Sequence, residues 1–115
     1  MNVMGERASY LTVSQQFNLN LVCKALHGFG FGTYLVGSSL LKADYRDVDL
    51  RCILHDDEYD RMFDREESKL RLKLLNTAIS EWIAARTGLP IDFQFQRQTE
   101  ANAEFKGRRH FVGHD

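Results

Sequence analysis

The sequence has few of the residues that define disulfide-stapled or membrane-embedded proteins. Its 115 residues include one proline, Pro90, and two cysteines, Cys23 and Cys52. Two cysteines provide neither a disulfide framework nor the spacing of a metal site, so buried reduced thiols are expected. The longest apolar runs are only a few residues long, far short of the roughly 18 needed to span a bilayer. These absences exclude the disulfide-stapled and membrane-spanning classes.

Charge of neither sign predominates. Fifteen Lys and Arg residues face 16 Asp and Glu residues, which gives a formal net charge of −1. This balance argues against a general nucleic-acid coat protein, although it leaves a local nucleic-acid contact and a homo-oligomer open. Residues 1–7 show no apolar segment after their charges, so we expect no signal peptide and a cytoplasmic location. The length predicts one domain over residues 1–115.

Hydrophobic periodicity predicts a succession of helices and strands. The expected elements are a helix after a Thr12–Gln15 capping box, strands over Phe31–Val36, Asp47–Leu54 and Ile91–Gln98, a turn over 38–45, a short helix within 55–68, and a long helix over Glu67–Arg86. This order predicts an α/β (or α+β) fold with a mixed sheet of about three strands and helices on one face. The expected core spans about residues 12–98, and residues 99–115 are expected to form a polar, basic tail.

Three aspartates fall at the beginnings of two predicted strands. Asp47 and Asp49 alternate on one face of the second strand, and Asp92 opens the third. If those strands are neighbours, the three carboxylates converge. Crowded carboxylates repel one another unless a cation lies between them. Oxygen ligands without nearby His or Cys select Mg²⁺ or Mn²⁺, so we predict such a metal site at Asp47, Asp49 and Asp92.

A Gly-Ser pair, Gly37-Ser38, ends the first predicted strand. Glycine lets the backbone approach a phosphate closely, and Ser38 offers both a hydroxyl and a backbone N–H. We include Ser39, in the following turn, and Arg51, on the acidic strand face, among the phosphate-binding candidates. For Arg51, pairing with Asp49 is an equally good interpretation.

Together these elements resemble a known family signature. It is carried by Leu35-Val36-Gly37-Ser38, Asp47-Val48-Asp49-Leu50 and Ile91-Asp92-Phe93. The pattern is similar to that of the DNA polymerase β-type nucleotidyltransferase superfamily, and within it to the minimal nucleotidyltransferases, short single-domain proteins of bacteria and phages. The resemblance covers roughly residues 31–97. It implies a nucleotidyltransferase-like fold, metal binding by the Asp-x-Asp pair, activation of the nucleophile by Asp92, and triphosphate binding at the Gly-Ser turn.

The function that the resemblance implies is transfer of a nucleoside monophosphate, AMP from ATP, to an acceptor with release of pyrophosphate. The acceptor stays open. Some minimal nucleotidyltransferases are antitoxins that transfer AMP to a partner toxin, so a partner protein is one candidate. A non-catalytic nucleotide-binding module and a merely solvated strand face are the other interpretations. The basic segment Lys106–Arg109 either folds back onto the triphosphate or forms an exposed terminus, and the exposed terminus is favoured.

Overall fold

A mixed four-stranded sheet is the centre of the computed structural model, which describes residues 9–29, 32–107 and 109–113. The strands are β1 (Gly32–Val36), β2 (Val48–Leu54), β3 (Ile91–Arg97) and β4 (His110–Val112). Their order across the sheet is β3-β2-β1-β4. β1 pairs antiparallel with β2 and β4, whereas β2 pairs parallel with β3. The prediction of a mixed α+β sheet protein is confirmed.

Helices occupy the connections and one edge. They are α1 (Val13–Cys23), α2 (Asp56–Phe63), α3 (Glu66–Thr87) and α4 (Gln98–Glu104), with 3₁₀ segments over Lys24–Phe29 and Gly37–Leu40. The predicted capping box is present, because the Thr12 hydroxyl accepts from Gln15 N at 3.1 Å and Gln15 Oε1 accepts from Thr12 N at 2.8 Å. α3 ends at Gly88, as predicted. Of the helices in the described residues, none has the length and apolar character to cross a membrane.

The alternation predicted for β2 determines which face becomes the core. Val48, Leu50, Cys52 and Leu54 are buried, whereas Asp49 is half-buried on the opposite, polar face. The buried face packs against apolar residues of three helices, Leu19 of α1, Phe63 of α2 and Ile83 of α3. Burial raises the pKa of the Cys23 thiol to about 12 and that of Cys52 to about 11, so both are protonated at neutral pH, as expected of structural cysteines.

The C-terminal part of the chain differs from expectation. The stretch expected to be a polar tail contains α4 and β4, so the sheet has four strands rather than about three. Ala101 and Val112 are completely buried in it. The end of α4 also reaches the polar face, where Glu104 accepts a hydrogen bond from Gln96 of β3 at 2.8 Å. The expectation of helices on one face only is therefore wrong for α4.

Helix α3 lies along the outer edge of β3. Ser80 Oγ accepts from the backbone N–H of Phe93 at 2.8 Å and donates to the Phe93 carbonyl at 3.3 Å. Asn76 Oδ1 accepts from Phe95 N at 3.0 Å. Helix side chains thus satisfy backbone groups that an edge strand otherwise leaves to solvent, and they fix β3 and its aspartate relative to α3.

Candidate active site

Asp49 and Asp92 lie side by side on neighbouring strands. The parallel pairing of β2 with β3 places them in register, and neighbouring strands are about 4.8 Å apart. Their carboxyl groups are close enough for the charge of Asp92 to raise the pKa of Asp49. On the other side of β2, Asp49 is the register partner of Val36, the residue before Gly37. The structure therefore brings Asp49 together with both Asp92 and the Gly-Ser turn.

The Asp49 carboxyl is poorly placed to carry its charge. Burial raises its pKa to about 6; the Arg51 charge opposes this shift, while the charges of Asp92 and Asp47 and the hydrogen bond with Asp92 add to it. A positive charge between two neighbouring carboxylates lowers their electrostatic free energy, because it offsets their mutual repulsion. The pair therefore favours protonation of Asp49, and a cation bound between the carboxylates would relieve the same repulsion.

Asp47 occupies a different position from the other two aspartates. It lies exposed, one residue before β2 begins, and acts on Asp49 through its charge. Within the described ranges, no three His, Cys, Asp or Glu side chains are close enough together to hold a metal ion. The predicted three-carboxylate cluster thus reduces here to the Asp49–Asp92 pair, with Asp47 nearby in the chain.

Gly37 adopts a backbone conformation that other residues rarely adopt, with a φ of 78°. A Cβ added at this position would collide with the Asp49 carboxylate. We expected glycine here because a phosphate must approach the backbone closely. The structure gives an additional reason, since Asp49 itself fills the space that a side chain would need.

The two serines of the turn have different environments. Ser38 is half-buried, and its carbonyl accepts from the backbone N–H groups of Leu41 and Lys42, both at 2.9 Å. Ser39 is fully buried, and its hydroxyl has no hydrogen-bond partner among the described residues. Its carbonyl accepts from Tyr10 N at 2.7 Å. Ser38 is therefore the more accessible phosphate-binding candidate of the two.

Arg51 is buried, with 6% of its surface exposed. Its Nη1 donates to the carbonyls of Leu50 and Asp92, each at 2.9 Å, and its Nη2 lies 3.6 Å from Asp92 Oδ2. The guanidinium lies over the ring of Phe105, 5.7 Å from its centroid. Its ion pair is with Asp92, and its charge also lowers the pKa of Asp49, so Arg51 interacts with both aspartates. In this arrangement Arg51 supports Asp92, and its contacts with a phosphate remain a prediction.

Two open cavities adjoin the aspartate pair. The cavity we call the turn cavity, about 640 Å³, is lined by Gly37 and Ser38 on one side and by residues 104–107 on the other. The α3 cleft, about 470 Å³, lies between α3 and β3 and is lined in part by Asp92. Asp92 lines the α3 cleft, whereas the turn cavity adjoins the pair through Gly37, which lies beside Asp49.

Among the residues near this site, residues 104–107 differ most in position from what the sequence predicted. The segment Lys106–Arg109 was expected to be an exposed terminus, with folding back onto the site as the alternative. Lys106 and Gly107 are exposed, as expected, but they line one cavity together with the Gly-Ser turn, while Arg108 lies outside the described residues. The signal for this arrangement lies in Phe105 and Val112, isolated apolar residues in a polar stretch.

Comparison of the chain with protein-family models, curated proteins and solved structures finds no match.

Proposed function

We propose that this protein is a metal-dependent nucleotidyltransferase that transfers a nucleoside monophosphate, AMP from ATP, to an acceptor and releases pyrophosphate. The observation that carries the proposal is the register of Asp49 with Asp92, next to a Gly-Ser turn whose glycine contacts Asp49. Carboxylates that can hold a cation, beside a turn that can bind phosphate, are elements that phosphoryl transfer uses.

The donor set fits a hard divalent cation. Asp49 and Asp92 supply carboxylate oxygens, and the raised pKa of Asp49 means that a cation there relieves an existing electrostatic cost. Mg²⁺ or Mn²⁺, when bound, would neutralise charge on the triphosphate and on the leaving pyrophosphate. Asp47, which acts on Asp49 through its charge, is the third metal ligand that the resemblance implies.

The remaining roles are those that the resemblance implies, and the positions of the residues are compatible with them. The Gly37–Ser38 turn binds the triphosphate through Ser38 and its backbone. Asp92, which also lines the α3 cleft, accepts the proton of an acceptor hydroxyl that enters there. Arg51 holds Asp92 in place through its backbone carbonyl and its carboxylate.

The test follows the α-phosphorus of ATP. Purified protein is incubated with α-labelled ATP, Mg²⁺ and a lysate of the native host, and label transfer is compared between wild type, Asp92→Ala and the control Asp64→Ala, which alters an exposed acid at the end of α2. We expect Asp92→Ala to abolish transfer and to lower nucleotide affinity to a smaller extent, because Asp92 is proposed both to hold the metal and to accept a proton in the transition state.

The labelled product identifies the acceptor class. Label on a protein band indicates a partner-protein acceptor, such as the toxin of the antitoxin hypothesis, whereas label on a small molecule indicates a metabolite acceptor. Nucleotide binding without transfer of α-label to any product would overturn the enzymatic proposal in favour of a non-catalytic binding module.

A further inference from the structure

We propose that the turn after α4, Phe105–Gly107, is the second wall of the nucleotide site, and that Lys106 binds the donor's phosphates together with Lys42. This inference rests on the proposed function, because it names residues that hold the same nucleotide. It assigns a binding role to a segment outside the Gly-Ser turn and the three aspartates.

The first support is that the start of this turn is fixed to the aspartate pair. Phe105 ends α4, where its backbone N–H donates to the Ala101 carbonyl at 2.8 Å. Its ring lies against the guanidinium of Arg51, which in turn contacts Asp92. The turn is therefore held at a defined place beside the carboxylates.

The other end of the turn is fixed as well. Arg109 Nη2 donates to Asn102 Oδ1 of α4 at 2.7 Å. The chain then enters β4, which pairs with β1 from Thr33↔Val112 to Leu35↔His110. Beyond β4, the Gly113 N–H donates to Asn20 Oδ1 at 3.1 Å. Lys106 thus lies on a short loop anchored at both ends, which is how rigid scaffolds position binding residues.

The charges in the turn cavity favour a polyanion. Lys42 and Lys106 come from opposite walls, both are exposed, and neither has a carboxylate partner in the part of the chain that the structure describes. Glu104, the acidic residue of the lining, accepts from Gln96. Lys42 is fixed near the turn by the bond from its backbone N–H to the Ser38 carbonyl. With the negative charge of Glu104 included, the two lysines leave the lining with a net charge of +1, which favours the phosphates of an anionic ligand.

The experiment measures the affinity for Mg²⁺ with α,β-methylene-ATP, an analogue that cannot release pyrophosphate, by titration calorimetry. The variants are Lys106→Ala, Lys106→Arg and the control Arg61→Ala, which removes the same charge from an exposed site on α2. We expect Lys106→Ala to weaken binding about tenfold, because it removes a charge-assisted contact. Lys106→Arg and Arg61→Ala should stay within about twofold of wild type.

A second ligand separates phosphate binding from base binding. Magnesium tripolyphosphate should show the same loss with Lys106→Ala, and a loss confined to the nucleotide would overturn the assignment of Lys106 to the phosphates. Equal affinities of Lys106→Ala and Arg61→Ala would overturn the whole inference while leaving the proposed function intact. Failure of the wild-type protein to bind either magnesium complex would instead contradict the proposed function itself.

Discussion

At the scale of single residues, the site depends on the contact between Gly37 and Asp49. The positive φ of Gly37 and the nearby carboxylate leave no place for a side chain. Asp49 is itself constrained by burial, by Asp92 and by the glycine. Small changes at either residue should therefore alter both folding and ligand binding, and in ways that can be told apart.

Gly37→Ala should lower the free energy of unfolding by about 1–3 kcal/mol, because alanine is strained at this φ and its methyl group displaces Asp49. Affinity for Mg²⁺·ATP should fall as well. Urea denaturation and calorimetry measure the two effects. Gly28→Ala is the matched control, since a Cβ at Gly28 meets no atom within 4 Å. Equal stability of the two variants would contradict the strain argument.

Asp49→Asn should stabilise the protein in metal-free buffer above pH 7. A carboxyl with a folded pKa of about 6 and an unfolded value near 3.9 binds more protons when folded, so the free energy of unfolding falls as the pH rises from about 4 to about 6. The gain in Asp49→Asn should reach the order of 1–2 kcal/mol at pH 8, after allowance for solvent screening, and nearly vanish at pH 4.

The pH dependence of the free energy of unfolding can be measured by denaturant titration at several pH values. Wild type and Asp49→Asn are compared with a chelator present. Asp47→Asn changes an exposed aspartate two residues before Asp49 and should shift stability by less than about 0.5 kcal/mol. Finding Asp49→Asn less stable than wild type at pH 8 would refute the electrostatic account of the pair.

At the scale of elements, the sequence predicted best what local patterns determine. Residues that are close together in the sequence determine the Thr12–Gln15 capping box, the long helix α3 and the alternation of β2 and β3. That alternation places Asp49 and Asp92 on the polar faces of their strands, but only the pairing of β2 with β3 in the folded molecule brings them together.

The sequence analysis did not predict helix α4, because the contacts that stabilise this helix join residues far apart in the sequence. It has one buried residue, Ala101, so it shows no apolar stripe. Its first turn is capped from a distant part of the chain, where Asp56 Oδ1 accepts from Thr99 N at 3.0 Å. Arg97, just before it, is held by Asp60 through two hydrogen bonds at 2.9 and 3.0 Å. The burial of Arg51 was missed for the same reason, since Phe105 covers it only after α4 has formed.

Ser80→Ala tests how α3 is joined to the sheet. It removes the acceptor for Phe93 N and leaves a partly buried backbone N–H without its partner, so we expect a loss of about 1–2 kcal/mol in the free energy of unfolding. Thr77→Ala changes an exposed hydroxyl of the same helix and should have a smaller effect. Urea denaturation of both variants checks this, and equal losses would show that the Ser80 bonds contribute little.

At the scale of the whole molecule, β4 joins the C-terminal part of the chain to the core. Val112 is fully buried and belongs to the same apolar cluster as Leu19 and Leu35. The strand has three residues, too few for a periodic pattern to stand out in sequence. Its contribution to the fold is therefore visible only in the folded molecule.

Val112→Ala should lower the free energy of unfolding by about 1–2.5 kcal/mol, because it leaves a cavity in the core. Val13→Ala makes the same chemical change at a side chain that is 87% exposed and should change stability by less than about 0.5 kcal/mol. Thermal or urea denaturation distinguishes the two. A Val112→Ala variant as stable as Val13→Ala would mean that β4 is not part of the stable core.

Metal and nucleotide should stabilise the folded protein together. A ligand that binds only the folded state raises its stability by mass action. Because two carboxylates leave most of a cation's coordination shell to the phosphates, Mg²⁺ with ATP should raise the melting temperature more than the separate increases added together. A thermal-shift series at millimolar concentrations measures this. Strictly additive shifts would contradict a shared site.

The contacts from Ser80 and Asn76 to β3 have a consequence for self-association. One edge of the sheet is blocked by helix side chains along β3, and the other ends in the three-residue strand β4. An incoming extended chain therefore finds no long free ladder to extend, which is how native sheets avoid templating aggregates. Strand-to-strand aggregation must await detachment of α3, so its rate should follow the population of partly unfolded molecules.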